Sequence, residues 1–367
     1  MVEWKKLGEL CRIRTGKLNA NAQEENGIYP FFTCDSKPYK INNYAFDTEA
    51  ILISGNGSQV GHLNYYKGKF NAYQRTYVLD DFHGHIFFIL HYLKCRIREY
   101  IFEKSKKGSV PYITLPMLTD FLIPIPSLEE QERIVGILDT FTASIDNIKA
   151  QIEQRRKQYE HYRNTLLTFN KDDESVEWKT LGEIGEIIRG NGLQKTDFVE
   201  EGVGCVHYGQ IYTRLGFSLD KTLTFVPKEL AEKLTTVEPG NLIIACTSEN
   251  IEDVCKSVVW LGNENIVTGG HACVFKHHEN PKYIGYCFLT HDFFNQKKKY
   301  AYGAKVIDIK TEKLSLIQIP LPSRKKQDEI VSILDTFEAS ITNLEAQLEQ
   351  RQKQYEYYRE ELLTNLS

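Results

Sequence analysis

The sequence predicts an α+β fold in which two α+β domains are separated by two long antiparallel coiled-coil helices, with a pseudo-two-fold internal repeat. The first observation is a long repeat, because residues 131–169 recur as residues 327–365 with 26 of 39 positions identical and no gap. A shorter repeat precedes each long one, reading EWKKLGE at residues 3–9 and EWKTLGE at residues 177–183. The stretches between the short and long repeats are not recognisably similar, which is typical of one scaffold that presents two different variable domains.

Hydrophobic spacing within both long repeats predicts a coiled coil. Seam residues recur in alternating steps of four and three, which is the heptad pattern of paired helices. In the first helix the predicted seam contains Ile134, Leu138, Phe141, Ile145, Ile148 and Ile152. In the second helix it contains Ile330, Leu334, Phe337, Ile341, Leu344 and Leu348. Each seam also carries one arginine, Arg155 or Arg351, which either snorkels from the seam's edge or fixes the register of the pair.

Both helices have start signals in the sequence. Prolines at positions 124, 126, 320 and 322 hold the backbone extended, and Ser127 and Ser323 then stand at the N-cap. Ser127 with Glu130 forms a capping box, whereas Ser323 is followed by Lys326 instead. These signals predict a first domain at residues 1–127, a central spacer helix at 128–170, a second domain at 171–323 and a C-terminal spacer helix at 324–367.

Inside the two domains the pattern predicts mixed secondary structure. Short β-rich runs bounded by turn residues predict strands at residues 50–54, 76–79, 241–246 and 257–260. The segments 86–103 and 283–299 are predicted to be helical.

Composition limits the classes of function. The net charge is −4, with +4 over residues 1–127 and −4 over residues 171–323, so the chain either does not bind nucleic acid or relies on a partner for most of the positive field. No apolar run approaches the ~20 residues needed to span a bilayer, and the N-terminus lacks a signal-peptide core.

The eight cysteines form no C-x-x-C pair. We therefore expect reduced thiols in a cytoplasmic protein.

Catalytic and metal-binding motifs are not found. The loop at residues 54–61, SGNGSQVG, is one residue too long for a dinucleotide fingerprint and is interpreted as a hairpin turn. His83 and His85, like His277 and His278, lack a third ligand at a convincing spacing. The sequence therefore predicts no catalytic residue and no metal site.

Polar and aromatic side chains instead cluster on loops at comparable places in both domains. Asn, Gln, Arg and Ser can read base edges, while Lys and backbone amides contact phosphates; the alternative is that these are solvated loops. The candidate binding residues of the first domain are His62, Tyr65, Lys67, Lys69, Asn71, Gln74, Arg75, Lys106, Lys107, Ser109 and Tyr112. Those of the second domain are His207, Tyr208, Gln210, Tyr212, Arg214, Thr247, Ser248, Asn250, His271, Lys298, Tyr302 and Lys305.

This double architecture resembles the specificity subunit of a type I restriction–modification system. The resemblance is carried by I-P-x-P followed by Q-[ED]-x-I-V-x-I-L-D-x-F, at residues 123–141 and 319–337, and by the W-x-x-L-G-E starts at Trp4 and Trp178. Residues 108–114 and 303–309 are also similar to the segment that precedes the closing strand in that family.

The resemblance implies that each domain is a target-recognition domain for one half of a bipartite, asymmetric double-stranded DNA site, and that the helices set the gap. It implies two modification (methyltransferase) subunits and restriction (translocase and nuclease) subunits as partners. These partners would use S-adenosylmethionine, ATP and Mg, with no cofactor in this chain. Two alternatives stay open: the recognition half of another multi-subunit methyltransferase or restriction system, and a coiled-coil adaptor without DNA function.

Overall fold

The structure is a computed structural model that describes residues 2–104 and 111–366. The chain divides into two compact units. Unit 1 contains residues 1–150 and 345–367, and unit 2 contains residues 151–344. Each unit therefore combines one domain with part of each long helix.

Unit 1 is built around a six-stranded sheet of order β2-β7-β5-β6-β3-β4. Its elements, with the whole of the first long helix, are β1 (Glu3–Lys6), α1 (Leu7–Leu10), β2 (Arg12–Thr15), β3 (Tyr29–Phe32), β4 (Tyr39–Ile41), β5 (Phe46–Ser54), β6 (Leu63–Ala72), β7 (Thr76–Asp80), α2 (Ile86–Lys104), α3 (Leu115–Thr119), β8 (Leu122–Ile125) and α4 (Leu128–Leu166). The loop at residues 54–61 joins the antiparallel strands β5 and β6, which confirms the hairpin interpretation.

The core of unit 1 lies on both faces of this sheet. On one face, Ile51 and Ile53 of β5 pack with the buried side of α2 and with Leu138 of α4. On the other face, Leu52 packs with Phe70 and neighbouring aromatic residues. Alternate β5 residues therefore enter separate cores, as the two-residue period of a strand requires.

Unit 2 has a five-stranded sheet of order β10-β19-β15-β17-β12 and a four-stranded sheet of order β13-β11-β18-β14. Its elements, with the whole of the second long helix, are β9 (Glu177–Thr180), α5 (Leu181–Ile184), β10 (Gly185–Arg189), β11 (Val203–Val206), α6 (Tyr208–Thr213), β12 (Ser218–Leu219), β13 (Thr224–Val226), α7 (Lys228–Ala231), β14 (Thr235–Val237), β15 (Leu242–Ala245), β16 (Thr247–Ser248), β17 (Ser257–Trp260), β18 (Ile266–Thr268), β19 (Ala272–His277), α8 (Pro281–Cys287), α9 (His291–Tyr300), β20 (Ile307–Asp308), α10 (Thr311–Leu314), β21 (Gln318–Leu321) and α11 (Arg324–Thr364).

Each unit contains its own three-stranded antiparallel core, and the two cores match. Strands β2-β7-β5 of unit 1 correspond to β10-β19-β15 of unit 2, with the same pairing directions. The short sequence repeats form matching closing ribbons, in which Trp4 lies opposite Pro124 and Trp178 lies opposite Pro320. The repeated sequence thus frames each domain, and the structures differ in the segments between.

The long helices begin as their start signals predict. Ser127 Oγ accepts a hydrogen bond from the backbone amide of Glu130 at 3.3 Å, and Ser323 Oγ accepts one from Lys326 at 3.4 Å. The repeated glutamine is buried at both starts. Its side-chain amide donates to the carbonyl of Pro126 from Gln131 and of Pro322 from Gln327, at 2.9 and 3.0 Å. Each glutamine therefore ties the helix to the extended proline segment.

Within each unit the two long helices pack antiparallel along the predicted seam. In unit 1, Phe141 of α4 stacks on Tyr358 of α11 at a centroid distance of 5.3 Å. In unit 2, Tyr162 of α4 stacks on Phe337 of α11 at 5.1 Å. The seam arginines lie over the same phenylalanines, with Arg351 5.6 Å from the Phe141 ring and Arg155 5.7 Å from the Phe337 ring.

The aspartate of the repeated ILDTF motif anchors each domain to its helix. In unit 1, Asp139 lies 2.9 Å from the buried ring nitrogen Nε2 of His91 on α2. In unit 2, Asp335 accepts hydrogen bonds from Lys282 at 2.8 Å and from Tyr286 at 3.0 Å, both on α8. One repeated residue thus uses different partners in the two units.

Two expectations from the sequence are wrong. The segment 283–299 is not one helix, because α8 ends at Cys287 and Thr290 starts α9 by accepting a hydrogen bond from Phe293 N at 3.2 Å. The cysteines are not all free thiols, since a disulfide joins Cys246 and Cys273. Their Cα atoms are 6.3 Å apart, within the range of a disulfide, because neighbouring strands bring together residues that are distant in sequence.

Across the described residues, no helix has the length and apolarity needed to cross a membrane.

Candidate nucleic-acid interface

Three separate segments meet at one end of the unit 1 sheet. Gly55, just after β5, donates its backbone N–H to the carbonyl of Arg75 at 2.9 Å, and its carbonyl accepts from Ile113 N at 2.8 Å. A side chain at Gly55 is excluded, since a Cβ there would lie 2.3 Å from the Arg75 carbonyl oxygen. We call Gly55, Arg75 and Ile113 junction 1.

Unit 2 repeats this backbone arrangement with different residues. Cys246, just after β15, donates to the carbonyl of His271 at 2.8 Å, and its own carbonyl accepts from Ile309 N at 3.1 Å. We call Cys246, His271 and Ile309 junction 2. The matching bonds make Arg75 and His271 equivalent positions, each on the turn that enters a central strand.

Junction 1 presents open polar side chains beside a small cleft. Gly55, Gln74, Arg75, Tyr77 and Ile113 line this cleft, which has a volume of about 310 Å³. Gln74 and Arg75 are exposed, and Gln74 Nε2 donates to Asn19 at 3.1 Å. Within the described residues, the Arg75 guanidinium has no hydrogen-bond partner. The predicted residues Gln74 and Arg75 therefore lie together, and exposed Tyr112 directly precedes Ile113 of the same junction in the chain.

Junction 2 carries a closed hydrogen-bond network. Arg189, at the end of β10, donates two hydrogen bonds to the Asp308 carboxylate, one of them 3.0 Å long. The Thr247 hydroxyl donates to Asp308 at 3.0 Å and lies 3.1 Å from Nδ1 of His271. The hydrogen bond to Asp308 raises the pKa of Arg189. Burial opposes ionisation of Asp308, but the bonds and charge of Arg189 outweigh it and lower the pKa of that carboxyl. The pair is thus ionised at neutral pH.

Aromatic side chains surround this network. The Tyr208 ring packs against the His271 imidazole with centroids 5.0 Å apart. The Tyr212 hydroxyl donates to the Thr247 carbonyl at 2.6 Å, and burial raises the pKa of Tyr212. Tyr302 is half exposed and pairs through its backbone with Asp308. Five predicted residues, namely Tyr208, Tyr212, Thr247, His271 and Tyr302, therefore come together here.

Some predicted residues of unit 1 lie elsewhere. Tyr65 and Lys67 are on β6, where they contact Glu49, and Lys69 lies over the Tyr44 ring at 4.7 Å. Half-buried His62 precedes the same strand. Asn71 is buried and bonded to Asn43 and to the amide of Ala72, so the structure gives it a structural role rather than the predicted surface role. Lys106, Lys107 and Ser109 lie outside the described residues.

In unit 2, two predicted residues cap a helix instead of facing outward. His207 and Gln210 are buried at the start of α6. The ring of His207 accepts from Gly209 N at 3.1 Å, and the side chain of Gln210 accepts from His207 N at 2.9 Å. Burial lowers the pKa of His207, consistent with a neutral acceptor ring. The sequence shows that these residues are polar but does not show that their polar atoms form hydrogen bonds at the start of the helix.

The remaining predicted residues of unit 2 are at or near the surface. Arg214, Asn250, Lys298 and Lys305 are exposed, and Ser248 is half-buried next to Thr247. Asn250 also donates to Asp253 at 2.9 Å. Whether these residues contact a ligand stays a prediction.

Sequence reasoning missed Arg189 and Asp308. Their sequence separation of 119 residues hides the ion pair. Asp308 does lie inside residues 303–309, the segment that is similar to the one preceding the closing strand in the family, so that resemblance is a usable signal.

The comparisons with known proteins all point to the same family. The model described as "Type I restriction modification DNA specificity domain" matches residues 1–155 and 174–353. The type I restriction enzyme EcoDI specificity subunit of Escherichia coli is 41% identical over 182 residues, 49% of this chain but only 40% of that protein. The EcoR124I/EcoR124II specificity subunit of Escherichia coli is 28% identical, with 99% of this chain and 94% of the relative covered. The S subunit of a type I restriction–modification system from M. genitalium has the same fold, with a TM-score of 0.62 at 16% identity over 100% of this chain and 97% of that one.

Proposed function

Because this chain belongs to the type I restriction–modification DNA specificity family, we propose that each of its units reads one half of a bipartite, asymmetric double-stranded DNA site. The chain is a specificity subunit with two target-recognition domains. Its task is DNA sequence recognition within a restriction–modification complex. This assignment disfavours the alternative of a coiled-coil adaptor without DNA function.

The observation that carries the proposal is the pair of junctions on matching backbones. Each family domain contains one junction, and the two carry different side chains at equivalent positions. Arginine, histidine, glutamine and tyrosine are suited to base edges, sugars and phosphates. Different side chains on the same backbone suit two readers of different half-sites.

We propose that the long helices set the gap between the half-sites and provide docking surfaces for two methyltransferase subunits. Helix α4 spans 39 residues, which corresponds to about 58 Å at 1.5 Å per residue. Both helices are continuous from one unit into the other, which supports a spacer role.

We further propose that the chemistry belongs to the partners. Methyltransferase subunits would use S-adenosylmethionine, and restriction subunits would use ATP and Mg for translocation and cleavage. This chain would hold no cofactor and would contribute recognition alone. Because host DNA is the proposed ligand, the proposed place of action is the cytoplasm.

Exchange of one domain tests the proposal. Residues 1–127 would be replaced by the corresponding domain of another specificity subunit, and the methylated positions of the host genome would be mapped before and after. We expect one half of the methylated site to change while the other half and the gap are retained. A change in both halves would contradict independent reading, and methylation that does not depend on this chain would contradict the proposed function.

A further inference from the structure

His271 at junction 2 combines exposure with an uncommon backbone conformation. Its φ is +69°, in the left-handed region that non-glycine residues seldom occupy. The hydrogen bond from Cys246 N to its carbonyl holds this conformation. Strained residues persist where surrounding structure fixes them, and they concentrate at functional sites. The turn therefore presents the imidazole at the surface in a fixed position.

The network beneath His271 determines which ring nitrogen carries the hydrogen. Asp308 is an ionised carboxylate, which only accepts hydrogen bonds. The Thr247 hydroxyl lies 3.0 Å from that carboxylate, so its single hydrogen points to Asp308. The Thr247 oxygen is then an acceptor toward His271, 3.1 Å away. Nδ1 of His271 must therefore carry the hydrogen and donate it to Thr247.

With the hydrogen on Nδ1, the neutral form of the His271 ring has Nε2 as a hydrogen-bond acceptor. In neutral imidazole one nitrogen donates and the other accepts. Within the described residues, Nε2 has no hydrogen-bond partner. The Tyr208 ring, packed against the imidazole at 5.0 Å and 47°, restricts its plane. Junction 2 thus offers one oriented acceptor at an exposed position.

On the basis of the proposed function, we propose that His271 Nε2 accepts a hydrogen bond from the exocyclic amino group of adenine or cytosine in the major groove of the half-site read by unit 2. Only adenine N6 and cytosine N4 present hydrogen-bond donors in the major groove, whereas guanine and thymine present acceptors at those positions. An acceptor facing O6 of guanine or O4 of thymine would be repelled. His271 therefore selects amino bases over keto bases at one position.

The same chemistry argues against a phosphate contact. A phosphate oxygen is a negatively charged acceptor, so it gains nothing from the lone pair of Nε2. The Nδ1 hydrogen, the only ring donor, is already engaged by Thr247. The structure thus favours base reading over backbone positioning at this residue.

The test uses the full chain in complex with its methyltransferase subunits and a duplex carrying the mapped bipartite site. At each amino base of the half-site read by unit 2, adenine is replaced in turn by purine, or cytosine by pyrimidin-2-one, which deletes only the amino group. For the wild type we expect one such deletion to weaken binding about 5- to 150-fold, the range for a specific base contact. In His271→Gly the same deletion should cause no further loss. Glycine suits the left-handed backbone, so this variant should keep the melting temperature of unit 2.

His278→Ala is the matched control, because His278 is exposed on the same segment and outside the junction. It should retain full sensitivity to every amino deletion. The inference is overturned if His271→Gly stays as sensitive as the wild type at all positions. It is also overturned if the variant loses affinity equally for specific and scrambled duplexes with a reduced salt dependence, because that is the signature of a phosphate contact. A wild-type complex that does not distinguish its mapped site from scrambled DNA would overturn the proposed function itself.

Discussion

At equivalent positions, junction 1 carries Gly55 and Arg75 where junction 2 carries Cys246 and His271. The backbone hydrogen bonds match, but the surroundings differ. Arg75 stands beside an open cleft, whereas His271 is held by Thr247, Asp308 and Tyr208. The repeated scaffold therefore fixes where a reading side chain lies, while the unrepeated segments determine what chemistry it presents.

The largest effect on DNA recognition is expected from Gly55→Ala. Its Cβ would lie 2.3 Å from the Arg75 carbonyl, so junction 1 must shift, at a cost of about 1–3 kcal/mol in stability. We expect loss of recognition of the half-site read by unit 1, with the other half-site still recognised, in binding assays with half-site substitutions. Gly57→Ala is the control, because no atom of the described residues lies within 4 Å of its Cβ and only its φ of +82° is unfavourable. Equal effects of the two variants would show that the close approach at Gly55 is unimportant.

The repeated anchors should differ in strength between the units. Asp335→Ala removes two hydrogen bonds from Lys282 and Tyr286, and we expect unit 2 to lose about 2–3 kcal/mol. Asp139→Ala removes one contact of a side chain that is 56% exposed, and we expect about 1 kcal/mol. Urea unfolding of each unit, followed by Trp260 for unit 2 and Trp4 for unit 1, measures both. A larger loss for Asp139→Ala would reverse the comparison.

Arg75→Ala should relax specificity in unit 1 without changing the fold. An exposed guanidinium that has no hydrogen-bond partner among the described residues is suited to bidentate contact with O6 and N7 of guanine, worth about 1–3 kcal/mol of discrimination. We expect one position of that half-site to lose its preference in competition binding with single-base variants. Lys67→Ala is the control. Lys67 lies on β6 opposite Glu49, with which it forms an ion pair. Glu49 is five residues before Ser54 on β5, so Lys67 is about 17 Å from the end of the strand that leads into junction 1. Uniform weakening across sequences would instead identify Arg75 as a phosphate contact.

The sequence predicted the structural features that depend on local sequence patterns. The seam and the serine caps follow from heptad spacing and N-cap chemistry, and the prolines indicate the extended segment before each helix. Junction 2 depends on strands that are far apart in sequence, so Arg189 and Asp308 could not be paired in advance. For Asn71, His207 and Gln210 the sequence predicted a binding role that the structure does not support. A polar side chain looks available for binding in a sequence even when it is buried and already hydrogen-bonded within the protein.

The smallest expected difference between the units is their response to acid. Burial lowers the pKa of His277 in unit 2 from its ordinary 6.5 to about 4. Burial also lowers the pKa of His91 in unit 1, but its hydrogen bond with Asp139 opposes this shift.

A histidine with a lowered pKa stays neutral in the folded state while the unfolded state takes up a proton. Its stabilising contribution is therefore complete above pH 6.5 and is lost as the pH falls toward 4. Between pH 7 and pH 5 we expect His277 to cost unit 2 about 1–2 kcal/mol. Urea unfolding followed by Trp260 at the two pH values measures the loss, which His277→Phe should reduce. The loss in unit 1, followed by Trp4, should be shallower because Asp139 favours the protonated form of His91. An equally steep loss there would mean that this anchor does not offset the burial of His91.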